Sequence, residues 1–235
     1  MTELSSLPSA RRPVGRTVDV DATNAFLWGV YRWMTVGLAA TGIVALLTVS
    51  SPAVLEVIFG NRIVFYGLLL GELAMVVSFS SLAHRVSGAT AALMFVGYAA
   101  LNGLTFASIF LIYTHASIAQ VFFISAGAFA ALSFYGSVTQ RDLSPVGRFM
   151  FMGLIGLIIA SVVNIFWANS ALYWVSTYAG VLIFAGLTAY DTQKLKALYA
   201  QQGASGNLAL QGALILYLDF INLFLMLLRL FGNRR

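Results

Sequence analysis

Cysteine is absent from this chain, which removes disulfides, thiolate nucleophiles and cysteine-ligated metals from consideration. Charge is nearly as scarce. Only 9% of the 235 residues are charged against 60% apolar, a balance that excludes a soluble domain and fits a polytopic membrane protein. Lysine is confined to Lys194 and Lys196, just beyond an apolar run in what reads as a loop, so no buried amine is available for a Schiff base. No glycine-rich stretch followed by Lys-Ser or Lys-Thr cradles a phosphate, and nucleotide-driven pumping has no support. The net charge of +5 comes from scattered residues at the ends of apolar runs rather than a basic stripe, which argues against nucleic acid as a partner.

What the chain has in abundance is apolar runs of about 20 residues, long enough to cross a bilayer as helices. Seven occur, at about 28–50, 62–83, 89–112, 118–139, 147–168, 171–190 and 207–228. Turn formers such as Pro52, Gly60-Asn61, Ser87-Gly88, Thr114-His115 and Ser144-Pro145 fill the short gaps. The organisation expected is a flexible polar tail over 1–25, a seven-helix transmembrane domain over 26–231 and a short basic tail over 232–235. Glycines such as Gly97, Gly103, Gly127, Gly136, Gly153, Gly156, Gly180 and Gly186 are read as close-packing positions between helices. With the N-terminus inside, Arg11, Arg12, Arg16, Arg32, Arg85, Arg141, Arg148, Lys194 and Lys196 are cytoplasmic and Arg62, Arg229, Arg234 and Arg235 are not. That asymmetry favours the N-in orientation. The C-terminal arginines run against it, which leaves a re-entrant last segment as the alternative to a full span.

The last run, Gly212 to Leu228, carries one carboxylate, Asp219, near its middle. A lipid-facing aspartate there opposes insertion by about 2.5–3.5 kcal/mol, so Asp219 should face protein or water on a helix enclosed by the others. Gln211, Ile215, Asp219, Asn222 and Met226 share one helical face. A second acid, Asp191, ends the sixth run in Gly186 to Lys194 (GLTAYDTQK), on a face with Thr177, Gly180, Phe184 and Thr188. If the two faces meet, the carboxyls cannot both ionise cheaply, and they titrate as a unit. Ionised, they attract a cation, and a hard divalent such as calcium suits carboxylate oxygens, although two carboxylates alone bind loosely. The competing reading of Asp191 is an interfacial carboxylate beside Lys194. Glu72 stands in the middle of the second run, either lining a pathway or buried and packed with Asn102.

Several stretches together resemble the Bax inhibitor-1, or transmembrane BAX inhibitor motif, family. They are Tyr31 to Gly37 (YRWMTVG), Gly103 to Phe110 (GLTFASIF), Phe151 to Asn164 (FMGLIGLIIASVVN), Gly186 to Lys194 and Ala213 to Leu223 (ALILYLDFINL), within about 25–231. The resemblance implies an all-α membrane protein of seven transmembrane helices, with the C-terminal helix central and surrounded by the other six. It also implies a pH-sensing aspartate pair, here Asp191 and Asp219, that gates a passive calcium leak and binds calcium weakly. No catalytic residue and no resident cofactor is implied. Glu72, Asn222 and an arginine from the second helix, for which Arg85 beside His84 is the nearest candidate, would belong to the pathway or its gate. A bacterial inner membrane is the expected location, with the lipid bilayer and calcium or other cations as partners. Two alternatives differ in class: a regulatory protein that binds a membrane quality-control protease, and an intramembrane aspartyl protease using the same two aspartates.

Overall fold

The structure, a computed structural model, describes residues 20–203 and 206–235. The expected tail with Arg11, Arg12 and Arg16 therefore lies outside the described residues up to residue 19. Eight helices follow in order: α1 (Val20–Val49), α2 (Pro52–Phe59), α3 (Arg62–Leu82), α4 (Gly88–Ile112), α5 (His115–Val138), α6 (Ser144–Phe166), α7 (Ser170–Gln202) and α8 (Leu208–Phe231). Seven of them, all except α2, are long and apolar enough to cross a membrane. The chain is an integral membrane protein of the all-α class.

Local chemistry sets the boundaries. Side chains of Asn61, Ser87, Thr114 and Asn169 accept hydrogen bonds from the first free N–H groups of α3, α4, α5 and α7. Pro52 and Pro145 occupy the first turns of α2 and α6, where their missing N–H costs nothing. Three boundaries differ from expectation. The first helix begins at Val20, ahead of residue 26, with Asp21 in its first turn where the helix dipole favours a negative charge. The gap between the first two spans holds the extra helix α2, anchored by buried Ile58. The sixth span does not end at Asp191 but runs to Gln202, because residues 191–202 contain neither glycine nor proline and Gly203, at φ 68°, is the first stop. Lys194 and Lys196 are consequently on a helix, not in a loop.

The C-terminal helix is central. In the most apolar window of α8, 61% of residues are buried, against 6% for α3 and for α6. It packs directly on α1, α4, α5 and α7. α3 leans on α4, α6 leans on α7, and the two stand apart with no packed interface between them. Buried hydroxyls tie the inner helices: Thr41 Oγ1 is 2.7 Å from Tyr217 Oη and donates to the Ala99 carbonyl at 2.8 Å. Tyr31 Oη, Ser133 Oγ and Thr192 Oγ1 form a second chain, 2.7 and 2.8 Å between neighbours, across α1, α5 and α7. Gly136 lets α5 touch α7, since a Cβ there would lie 2.1 Å from the Ala189 carbonyl oxygen. Gly127 and Gly156 would meet nothing within 4 Å, so close packing does not explain those two.

The last helix spans rather than re-enters. Its 24 residues cover roughly 36 Å. Beyond it, Asn233 O accepts from Thr114 N at 3.1 Å and Arg235 N donates to Ile112 O at 2.9 Å, fixing the chain end to the α4–α5 corner. The opposite face of the bundle holds the start of α1, where Phe26 stacks on Tyr199 near the end of α7 with ring centroids 4.6 Å apart. Arg234, one of the discordant arginines, donates to Tyr173 Oη at 3.0 Å and lies over the Tyr113 ring.

Candidate functional site

A cavity of about 1450 Å³ occupies the space between α3 and α6, floored by α7 and α8 and reached by Tyr98 of α4. Its α8 wall is the stripe Ile215, Asp219, Asn222, Met226 and Arg229, the helical face expected from the sequence, displaced by one turn because Gln211 is not part of it. The α7 wall contributes Phe184, Leu187, Asp191 and Lys194. Thr177 and Thr188, expected on the same face as Asp191, are instead fully buried and return their hydroxyls to the Tyr173 and Phe184 carbonyls. They fill the interface behind Asp191 rather than the cavity.

Asp191 and Asp219 both line this cavity. Asp219 is 6% exposed and its Oδ2 has no hydrogen-bond partner among the described residues. Asp191 is more open and pairs loosely with Lys194, Nζ to Oδ1 3.9 Å. The interfacial role considered for Asp191 therefore coexists with its place on the cavity wall. A buried carboxylate oxygen without a donor is costly, which makes it a natural seat for a proton or a cation. Among the described residues no group of three or more His, Cys, Asp or Glu is positioned to hold a metal, so Asp191 and Asp219 offer at most a two-carboxylate site.

Glu72 enters the same cavity from α3. Thr105 Oγ1 donates to its Oε1 at 2.8 Å, taking the place expected for Asn102, whose amide turns back to the Tyr98 carbonyl at 3.3 Å. Met75 of α3 abuts Gly97, and Tyr98 and Phe95 of α4 meet the Tyr217 ring edge-on, so Glu72 and Asp219 sit at similar depth. Asn222, one turn beyond Asp219, gives its amide to its own Leu218 carbonyl at 2.8 Å.

Arg85 is not brought to the acids. It is exposed in the turn between α3 and α4, its Nε donating to His84 Nε2 at 3.2 Å, because α3 ends before it and the turn points it away from the cleft. The cations that do line the cavity are Arg148, Lys194 and Arg229. Sequence reasoning used Arg148 and Arg229 only to set the orientation of the chain. It also passed over Gln193, whose signal was its place in GLTAYDTQK, and Lys196, two residues beyond that motif. Gln193 Oε1 accepts from Leu143 N and its Nε2 donates to Arg141 O, each at 2.8 Å, while Lys196 donates to the Ser137 carbonyl. Together they clamp the α5–α6 connection to α7 and fix where α6, one wall of the cavity, begins.

Comparison with known proteins agrees with this architecture. The family model described as inhibitor of apoptosis-promoting Bax1 matches residues 23–235. The chain is 51% identical over 217 residues to the inner membrane protein YbhL of Escherichia coli strain K12, covering 90% of this chain and 93% of that one. It is 44% identical over 220 residues to a protein of Deinococcus radiodurans, with 92% and 93% covered, and 41% identical over 246 residues to one of Caulobacter vibrioides, with 98% and 96% covered. The family match covers nearly all of the described helices and includes both aspartate-bearing segments, and with it and these relatives the chain belongs to the Bax inhibitor-1 family of membrane proteins.

Proposed function

We propose that the protein is a passive, proton-sensitive cation leak of a bacterial inner membrane, with calcium as cargo and the Asp191–Asp219 pair as its gate. The N-in orientation follows from the basic residues, and the inner-membrane assignment from the name of the Escherichia coli relative. The observation that supports the reading is a buried oxygen of Asp219 with no hydrogen-bond partner among the described residues, on the bundle's central helix in a cavity that Asp191 also lines. Two ionised carboxylates attract a divalent ion, and protonation removes that attraction. Lys194, at 3.9 Å from Asp191, competes with the ion from the same side, which favours passage over retention. Glu72 extends the acidic lining to α3, and Asn222 offers the next polar group along α8.

The test is calcium entry into proteoliposomes across a pH series for the natural protein and for Asp191→Asn and Asp219→Asn. Wild-type flux should change with pH and each variant should flatten that dependence. Flux that is unaltered by both substitutions at every pH would remove the pair from the gate. No wild-type flux at all would refute the leak and turn attention to the regulatory alternative, a protein that binds a membrane quality-control protease.

A further inference from the structure

The acids and Asn222 give the cavity a polar middle. From Asn222 outward to Arg229 it becomes a mainly apolar cleft, lined by Leu69 on α3 and by Ile158, Val162 and Ile165 on α6, where Ser161 returns its hydroxyl to the Leu157 carbonyl. Because α3 and α6 share no packed interface, the front of the cleft opens sideways toward the surroundings of the bundle. Leu69 is 39% exposed, Val162 50% and Ile165 77%. In a bilayer those surroundings are acyl chains.

The outer end of the cleft is marked by Arg229 in the last turn of α8, exposed and without an ion pair among the described residues. Its guanidinium lies 5.8 Å from the Tyr173 ring centroid. Trp174, 44% exposed, meets that ring with centroids 5.5 Å apart, and Trp167, 74% exposed, caps the end of α6. Tryptophan and tyrosine at helix ends mark headgroup level. The rise from Arg229 down to Asp219 is roughly 15 Å of helix, about half of a 30 Å hydrocarbon core and so the depth of one leaflet.

We infer that this outer half-cleft is a binding site for one glycerophospholipid from the leaflet at the Arg229 end. Its phosphate rests on the Arg229 guanidinium, whose planar donors suit phosphate oxygens. One acyl chain runs between α3 and α6 and ends near Asn222. The charge at the mouth, the apolar walls and the one-leaflet length all select the same ligand. A chain in that position also fills the cavity between the acid pair and the outer surface, which would make the bound lipid a plug of the leak; that consequence alone rests on the function proposed above.

Native mass spectrometry of protein extracted from its own membrane in mild detergent reads the site directly. Wild type should retain one phospholipid per chain through a wash that strips annular lipid. Arg229→Gln should lower that occupancy at least fivefold, and Arg229→Lys, which keeps a point charge, should retain more than Gln. Val162→Trp, at an exposed position, fills the cleft and should displace the lipid with Arg229 intact. Leu182→Trp, 68% exposed but outside the cleft, should leave occupancy unchanged. A wild type that retains no phospholipid overturns the proposal, as does equal retention in all four variants. Loss in Arg229→Gln with none in Val162→Trp also overturns it, since the chain would then lie elsewhere. Because no ion flux is measured, failure here leaves the leak reading standing, and failure of the leak leaves this site standing.

Discussion

Gly136→Ala should destabilise the bundle, while Gly127→Ala, nine residues earlier on the same helix, should not. At Gly136 the added Cβ would lie 2.1 Å from the Ala189 carbonyl oxygen and 2.9 Å from its carbon, both backbone atoms of α7. Ordinary contact begins near 3.4 Å, so the two helices must part by about an ångström or α5 must rotate. Overpacking of this kind costs about 1–3 kcal/mol. Parting also stretches the Ser133–Thr192 hydrogen bond, 2.8 Å and buried, one turn from Gly136, which adds about 1 kcal/mol. Replacing glycine in a helix returns at most about 1 kcal/mol, so the net sign at Gly136 is unfavourable. At Gly127 nothing lies within 4 Å, and the same substitution keeps only the helix-propensity gain. Thermal unfolding of both variants in detergent, followed by fluorescence, compares them under one condition. A Gly136→Ala protein as stable as Gly127→Ala would refute the close approach of α5 and α7 as the reason for that glycine.

Three further outcomes follow from contacts away from Asp191 and Asp219. Tyr217→Phe removes a fully buried hydroxyl that Thr41 shares, and should cost about 1–3 kcal/mol in denaturant unfolding, with Thr41→Val in the same background adding less than it does alone. Gln193→Ala releases both the Leu143 amide and the Arg141 carbonyl, and should make the α5–α6 connection, but not the α3–α4 turn, susceptible to limited proteolysis. Asp142, ahead of α6, accepts from Ser144 N at 2.9 Å, and the Ser144 side chain and amide hold its carboxyl below the ordinary carboxylate range. Its folded-state value is the lower one, so its contribution is present above the unfolded pKa and lost as pH falls through the depressed folded value. The difference in melting temperature between wild type and Asp142→Ala should therefore shrink on acidification, and a difference constant with pH would exclude the charged cap.

The seven spans were legible because each is a run of about 20 apolar residues closed by turn formers, and α2 was not because its eight residues fall between Pro52 and Gly60 with no room for periodicity. Hydropathy fades at Asp191 while helix-forming residues continue, so the end of α7 was misplaced by reading polarity as a boundary. Asp219 announced itself as a lone carboxylate in an apolar run, and Asp191, which lines the same cavity, as the polar end of a motif. Arg148 and Arg229 gave no such signal, since an arginine at a helix end looks the same whether it anchors the interface or lines a cavity. Nor could the stand-off between α3 and α6 be read. Lipid-facing and helix-facing leucines are chemically alike, and only packing distinguishes them.

That likeness bears on which helices are free to move. Without a hydrophobic difference between lipid and protein, helices are held by close approach and by polar bridges. α1, α4, α5, α7 and α8 have both: the Thr41–Tyr217–Ala99 and Tyr31–Ser133–Thr192 hydroxyl chains cross their interfaces, and Gly37, Gly136 and Gly180 admit neighbours closer than a Cβ would allow. Along its length α3 has one part-buried polar tie among the described residues, Glu72 to Thr105, besides the Asn207 amide on the Ala83 carbonyl that caps its end, and α6 is held to α7 by contacts such as Tyr190 against Gly147 and Met150 against Gly186. Swinging the body of α3 outward about that capped end would thus break the Glu72 bond and its apolar contact with α4 while leaving the hydroxyl chains of the inner helices intact. The one carboxylate on α3 is also the one that its displacement would release, so the width of the cleft and the charge state of its α3 wall are coupled through the Glu72–Thr105 bond. Spin labels on exposed Leu73 of α3 and Ile158 of α6 should accordingly show a longer and broader distance distribution in Thr105→Val than in wild type, whereas labels on α1 and α5 should not; equal distributions would mean that this bond does not hold α3.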